Sequence, residues 1–277
     1  MTTTTAAVAG PAGAASVPRA AGFLDSLRSE WTKARTVPFT LWNLLAATVL
    51  GIGIGALISA LAAHQYPKAT ALVRAQWDPT STSGAGLSMA QLAIGVLGIL
   101  IVTSEYSTGA IRSSLAAVPR RGRFLVAKAV VVLALSFAVT ELIAFTAFFI
   151  GQALISGHAP TAALGQPHVL RALVGCGLYG ALVGLLGLAL GTLLRHAAGA
   201  ITVLVALLFV LPGIAAALPA SIEHTVEKFW PTQAGQQVTV VVRTAHTLPP
   251  WTGLGVLALF VAIVAAAALS VLIRRDT

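Results

Sequence analysis

Long apolar runs separated by short polar stretches dominate the chain. Six of them, near 41–63, 87–104, 125–155, 171–194, 197–218 and 251–273, read as membrane-spanning helices. At about 1.5 Å per residue, roughly 20 apolar residues cross about 30 Å of hydrocarbon. The third run is longer than one crossing needs, so its first turns, around Lys128, are expected to project from the membrane. Two shorter stretches carry helical periodicity with a polar side. In 23–35, Phe23, Leu24, Leu27, Trp31 and Ala34 share one face and Arg28, Lys33 and Arg35 lie off it, the pattern of a helix lying in the interface. In 107–118, Ile111, Leu115 and Val118 recur at helical spacing behind Ser107 or Thr108, which can cap a helix, and Pro119 closes the pattern. The expected fold is an all-α polytopic membrane protein: six transmembrane helices, an N-terminal amphipathic interfacial helix, and a second amphipathic helix between spans two and three. Residues 1–22, mostly Thr, Ala, Gly and Pro, have too little large apolar surface to order themselves and are expected to form a disordered tail. They lack the basic start and compact apolar core of a signal peptide. Residues 23–277 then form a single six-span domain.

Charge supplies the orientation. Residues 105–128 hold Arg112, Arg120, Arg121, Arg123 and Lys128 against Glu105 alone, and short loops rich in Lys and Arg stay on the cytoplasmic side. With both termini inside, 12 of the 17 Lys and Arg residues are cytoplasmic, concentrated near span ends; Lys68, Arg74, Arg171, Lys228 and Arg243 lie outside. A multi-pass protein of the cell membrane with both termini cytoplasmic is the expectation. The net charge of +9 would suggest nucleic acid in a soluble protein. In a chain 57% hydrophobic and only 9% charged, membrane lipids account for those bases first, and no nucleic-acid partner is expected. The single cysteine, Cys176, excludes an intrachain disulfide and a cysteine metal cluster.

Within the spans, Gly177, Gly180, Gly184, Gly187 and Gly191 alternate spacings of three and four, making one continuous face. A face without side chains lets another helix approach closely in lipid, where packing drives association, so these glycines are expected to form a helix-packing seam. A Leu at Gly184 is expected to force helices apart, more than a Leu at Ala181 or Val183 on the opposite face. Gly51, Gly53 and Gly55 superficially echo a nucleotide-binding string, but no strand precedes them and the third spacing is wrong. Glu141 is the acid deepest in an apolar run, and it must be protonated, paired or exposed to water within the bundle. Its position fits a structural role or a part in substrate passage or coupling. Gln91 and Gln152 are cheaper polar cases near span ends.

Between spans five and six lie about thirty residues, 220–250, long enough to carry structure or function. After Trp230 and Pro231, residues Ala234, Val238, Val241 and Val242 fall on one helical face, which suggests a helix dipping into or lying on the outer leaflet. An intramembrane enzyme would need a nucleophile with its base, or a metal set, at membrane depth. The six histidines all fall at span ends or in loops, and neither His-Glu-x-x-His nor Gly-x-Ser-x-Gly occurs. No Gly-Lys pair occurs, so the chain cannot cradle ATP in a P-loop.

Ser29-Glu30-Trp31-Thr32-Lys33, the second span's end Thr103-Ser104-Glu105-Tyr106-Ser107-Thr108-Gly109, and Pro119-Arg120-Arg121-Gly122-Arg123 occur in that order. With Trp230-Pro231-Thr232-Gln233-Ala234-Gly235 and Arg274-Arg275-Asp276, this arrangement resembles the membrane subunits of ABC-2 type ABC transporters, in particular the actinobacterial six-span permeases, from about 23 to 275. The resemblance implies that the first helix is a connecting helix and that 107–118 is a coupling helix docking on a separate ATP-binding subunit. Glu105, Tyr106, Gly109, Arg112, Pro119, Arg120, Arg121 and Arg123 would then be the docking and coupling residues, with Glu105 bonded to Arg112 to fix the docking helix. It also implies a second permease copy, identical or not, with ATP and magnesium held on the partner subunit and no cofactor in this chain. An exporter is the expected activity; the alternatives are a passive channel, a structural membrane protein or, further off, an intramembrane enzyme.

Overall fold

The computed structural model describes residues 22–110, 121–242 and 247–274, and among these it contains helices and no strand. In chain order the helices are α1 (Phe23–Thr36), α2 (Pro38–Gln65), α3 (Ala71–Ala75), α4 (Pro79–Ser83), α5 (Leu87–Ser107), α6 (Arg121–Ile155), α7 (Val169–Leu194), α8 (Ala197–Val205), α9 (Leu211–Ala215), α10 (Ala220–Phe229), α11 (Pro231–Gln236) and α12 (Pro250–Arg274). Six stretches are long and apolar enough to cross a membrane: Pro38–Lys68, Pro79–Ser107, Gly122–Ile155, Val169–Leu194, Ala197–Ala215 and Pro250–Arg274. Proline opens α2, α4, α11 and α12, where its missing N–H would have had no helical partner and its fixed φ already suits the helix. The ends of α1, α5 and α7 and the starts of α2, α6 and α8 gather at one end of the bundle, the charged end. The segments 66–86, 156–168 and 216–242 gather at the other.

The centre of the bundle is α7. It is apolar all round, and 78% of its most hydrophobic window is buried, against 22% for α2 and α12. Its glycines meet two neighbours. A Cβ added at Gly177, Gly180 or Gly184 would meet Glu141, Thr140 or Ser136 of α6; at Gly187 it would meet the Gly95 carbonyl of α5, and at Gly191 Val102 and Ile99 of α5. The helix has no free face opposite: Ala181 and Val183 are themselves buried, because α12 and the 237–240 segment cover that side. In α2, Gly51 and Gly55 receive the backbone of Gly86, where an added side chain would strike Gly51 O and Gly55 N; Gly53 faces open space.

One expectation needs correction. Ala234 and Val238 are fully buried in the bundle, but the helix ends at Gln236, a 3-10 turn follows to Thr239, and Val240 is extended. One helical face therefore does not run through to Val242, which is 40% exposed. The cause is at the loop end, where the Asp78 carboxylate caps α4 by accepting from Thr80 N and Ser81 N and also accepts from Val241 N and Val242 N. Those two amides are drawn out of any helix. Lys128 is enclosed by protein, 1% exposed inside the charged end. In α1, Ser26, Glu30 and Ala34 turn toward the protein, and Leu24 and Trp31 point away from it.

The fifth span is a helix with a π segment, Ala206–Val210, between α8 and α9. Leu211 N pairs with Ala206 O, one residue farther back than in an α-helix. The next carbonyl, Leu207 O, would in that register look to residue 212, a proline without an N–H. It is satisfied from outside the span instead, accepting from Trp230 Nε1 at 2.9 Å and Thr232 Oγ1 at 3.3 Å. This explains why Trp-Pro-Thr stands at the start of α11. Trp230→Phe is expected to lower stability by about 1 kcal/mol, the net worth of one hydrogen bond, and Thr232→Val on top of it by more than the two alone, since Leu207 O is then left unpaired. Thermal melts of the single and double variants check this.

Candidate functional site

At the charged end, α1, α5 and α6 are joined by a closed ring of two lysines and two glutamates. Lys33 Nζ lies 2.8 Å from Glu30 Oε1 and 2.9 Å from Glu105 Oε1; Lys128 Nζ lies 2.6 Å from Glu30 Oε2 and 2.7 Å from Glu105 Oε1. Each lysine bridges both carboxylates, so the ring carries no net charge, the condition under which charge is tolerated away from water. Lys128 spends its third donor on Ile101 O at 3.4 Å, and its ammonium sits 4.9 Å from the Phe124 ring centroid. Glu30, Glu105 and Lys128 are buried, whereas Lys33 is partly exposed at the ring's edge. Burial works against the Lys33 ammonium, but the bonds and charges of Glu30 and Glu105 outweigh it and hold its pKa above the usual lysine value. A cavity of about 370 Å³ lies against the ring, lined by Val37, Phe39, Thr40, Ser104 and Thr108 among others.

Local sequence places each member. Glu30 follows Ser26 and precedes Ala34 at four-residue spacing, so three small or polar positions form the inward stripe of α1. Lys128 sits between Phe124, Leu125 and Val131, Val132 on the buried stripe of α6. Glu105 belongs to the last turn of α5, which Gly109 ends in a left-handed conformation at φ +71 with Thr108 N bonded to Ser104 O.

Of the expected docking residues, Glu105 is in the ring, paired with Lys33 and Lys128; an Arg112 bond lies outside the described residues. Tyr106 packs beside Val102 and Leu125 with the Arg195 guanidinium 5.4 Å from its ring centroid. Arg195 itself closes α7 in a left-handed conformation, φ 56. Gly109 is open, Arg123 is exposed on the first turn of α6, and Arg121 is the residue on which α6 begins. Arg112, Pro119 and Arg120 lie outside the described residues, as does most of the expected 107–118 helix and the 1–22 tail. Glu141 is remote from the ring, on α6 with its carboxylate against Gly177.

Glu30, Lys33 and Lys128 were not legible as a site. The available signal was one acid and one lysine each embedded in a stripe of small or apolar residues, a placement that demands an opposite charge.

A family model described as ABC-2 family transporter protein matches residues 26–213. That span takes in most of α1, the ring and the whole of α7. No curated protein matches the sequence.

Proposed function

Because the chain belongs to the ABC-2 transporter family, we propose that it is the permease subunit of an exporter, paired with a second permease copy and driven by separate ATP-binding subunits that dock at the charged end. The family places it as a membrane component of an ABC-2 transporter, a transmembrane subunit without an ATPase domain, and implies association with an ATP-binding subunit. The observation that carries the docking reading is the charge ring. It fastens α1 to the end of α5 and the first turns of α6, the two helices that residues 108–120 join in the sequence. A partner that shifts the connection must move α5 and α6, and the ring passes that shift to α1. Such a device biases a two-state rearrangement of the spans, which is the mechanical task of a subunit that holds no P-loop. The concentration of Lys and Arg at this end supports a cytoplasmic location for it and for both termini.

The test is reconstitution. The chain alone in nanodiscs is expected to hydrolyse no ATP, and its complex with the ATP-binding subunit to hydrolyse ATP in proportion to substrate moved. Robust hydrolysis by the isolated chain, abolished by changes in the chain, overturns the assignment. Lys33→Met separates coupling from folding. It removes the partly exposed member and keeps both buried pairs, so stability is expected to fall by no more than about 1 kcal/mol. Substrate moved per ATP is expected to drop clearly. A variant with unchanged coupling would mean that the ring serves stability alone.

A further inference from the structure

At the loop end, on the far side of the bundle from the ring, a cavity of about 170 Å³ opens between α4, α5, α6, α7 and the turn after α11. One wall is polar and continuous. Tyr179 donates its hydroxyl to Gln91 Oε1, and Gln236 Nε2 reaches Tyr179 Oη at 3.3 Å and Gln91 Oε1 at 3.4 Å. Gln91 and Tyr179 are buried, where a polar side chain is expensive unless it is hydrogen-bonded. Within this network Gln91 Nε2 and Gln236 Oε1 make no hydrogen bond among the described residues, which leaves one donor group and one acceptor to spare. The other wall is apolar, formed by Leu87, Ala144, Phe148 and Leu173. Among the described residues no Asp, Glu, Lys, Arg or His lines the space.

We propose that this cavity binds an uncharged organic group the size of a single ring, bearing a hydroxyl or amide. Size sets the first limit, since a buried cavity of about 150 Å³ accommodates benzene. Charge sets the second: an ion would enter without a counter-charge and lose its hydration. The polar wall sets the third. A hydroxyl seated there accepts from Gln91 and donates to Gln236, while the ring lies against Phe148 and Leu173. The same group can be a small molecule or the end of a larger one. The site does not depend on ATP-driven coupling, so it is tested without an ATP-binding subunit, and its failure leaves the reading above untouched.

The experiment uses the full chain in nanodiscs and a fluorinated benzyl alcohol as probe, followed by fluorine NMR against empty nanodiscs of the same lipid. Partition into lipid does not saturate; binding to the cavity does. A saturable component is expected, displaced by unlabelled benzyl alcohol and not by benzylammonium or benzoate. Gly84→Leu plugs the space: Gly84 lines it, its φ of −82 suits any residue, and an added Cβ there meets nothing within 4 Å. It is expected to abolish the saturable component, and Gln91→Leu to weaken it about tenfold. No saturable component, one that persists in Gly84→Leu, or equal displacement by the charged analogues overturns the proposal. If Gly84→Leu melts well below the parent, the Gln91→Leu affinity and the charged analogues decide.

Discussion

Lys128→Met is expected to be the most damaging single substitution in the charged end, lowering stability by about 3–5 kcal/mol, the usual cost of removing one partner from a buried ion pair. Without its ammonium, Glu30 and Glu105 are left facing each other with only the half-exposed Lys33 between them. Ile101 O and the Phe124 ring lose their cation as well. Yield of monodisperse protein and melting temperature in nanodiscs measure the loss. The informative control is the variant that also carries Glu30→Gln and Glu105→Gln. It empties the ring of carboxylates as well, and replacing a buried ionic set entirely is often close to neutral. Its stability is expected to recover most of the loss, a strong favourable coupling in the mutant cycle. If Lys128→Met melts with the parent protein, or if the triple variant is worse than the single one, the ring does not hold α1 to the bundle.

The spans were legible in the sequence because a lipid solvent leaves helices as the economical way to satisfy the backbone, and length and hydropathy then place them. The glycine spacing in α7 likewise announces that something approaches closely. What a one-dimensional pattern does not carry is which partner a face meets. The polar stripe of α1 could have pointed to water; it points inward because Lys128, 98 positions from Glu30, and Glu105, 72 positions from Lys33, supply the opposite charges. Apolar Leu24 and Trp31 are turned outward by the same rotation. The break in the 234–242 pattern was invisible for a related reason, since Asp78 claims the amides of Val241 and Val242 across 163 positions or more. The π segment of the fifth span was foreshadowed by Pro212, but the donors that make it tolerable come from α11 and from just before it.

The glycines differ in what blocks them, and substitution to Ala is expected to rank accordingly. At Gly187 an added Cβ would strike the Gly95 carbonyl, and at Gly98 it would strike the Gly184 carbonyl. These two contacts are reciprocal, backbone against backbone, so neither can be relieved by a rotamer; α5 and α7 must separate. Overpacking a filled interior costs about 1–3 kcal/mol, and here the cost is expected at the upper end or beyond, because the separation breaks contact along the whole α5–α7 face. Gly180→Ala meets the branched Thr140 side chain and is expected to cost less, and Gly177→Ala less again, since the Glu141 side chain is longer and can swing aside. Gly53 and Gly255 supply the baseline. Both lie within helices with nothing inside 4 Å of an added Cβ, so Ala there is expected to be neutral or to stabilise by up to about 1 kcal/mol through helix propensity. Melting temperatures of the six single variants in one lipid composition give the order. Equal effects at Gly53 and Gly187 would mean that α5 and α7 are not in backbone contact in the membrane. A larger loss at Gly177 than at Gly187 would mean that Glu141 is fixed in place, and would move the critical contact of α7 from α5 to α6.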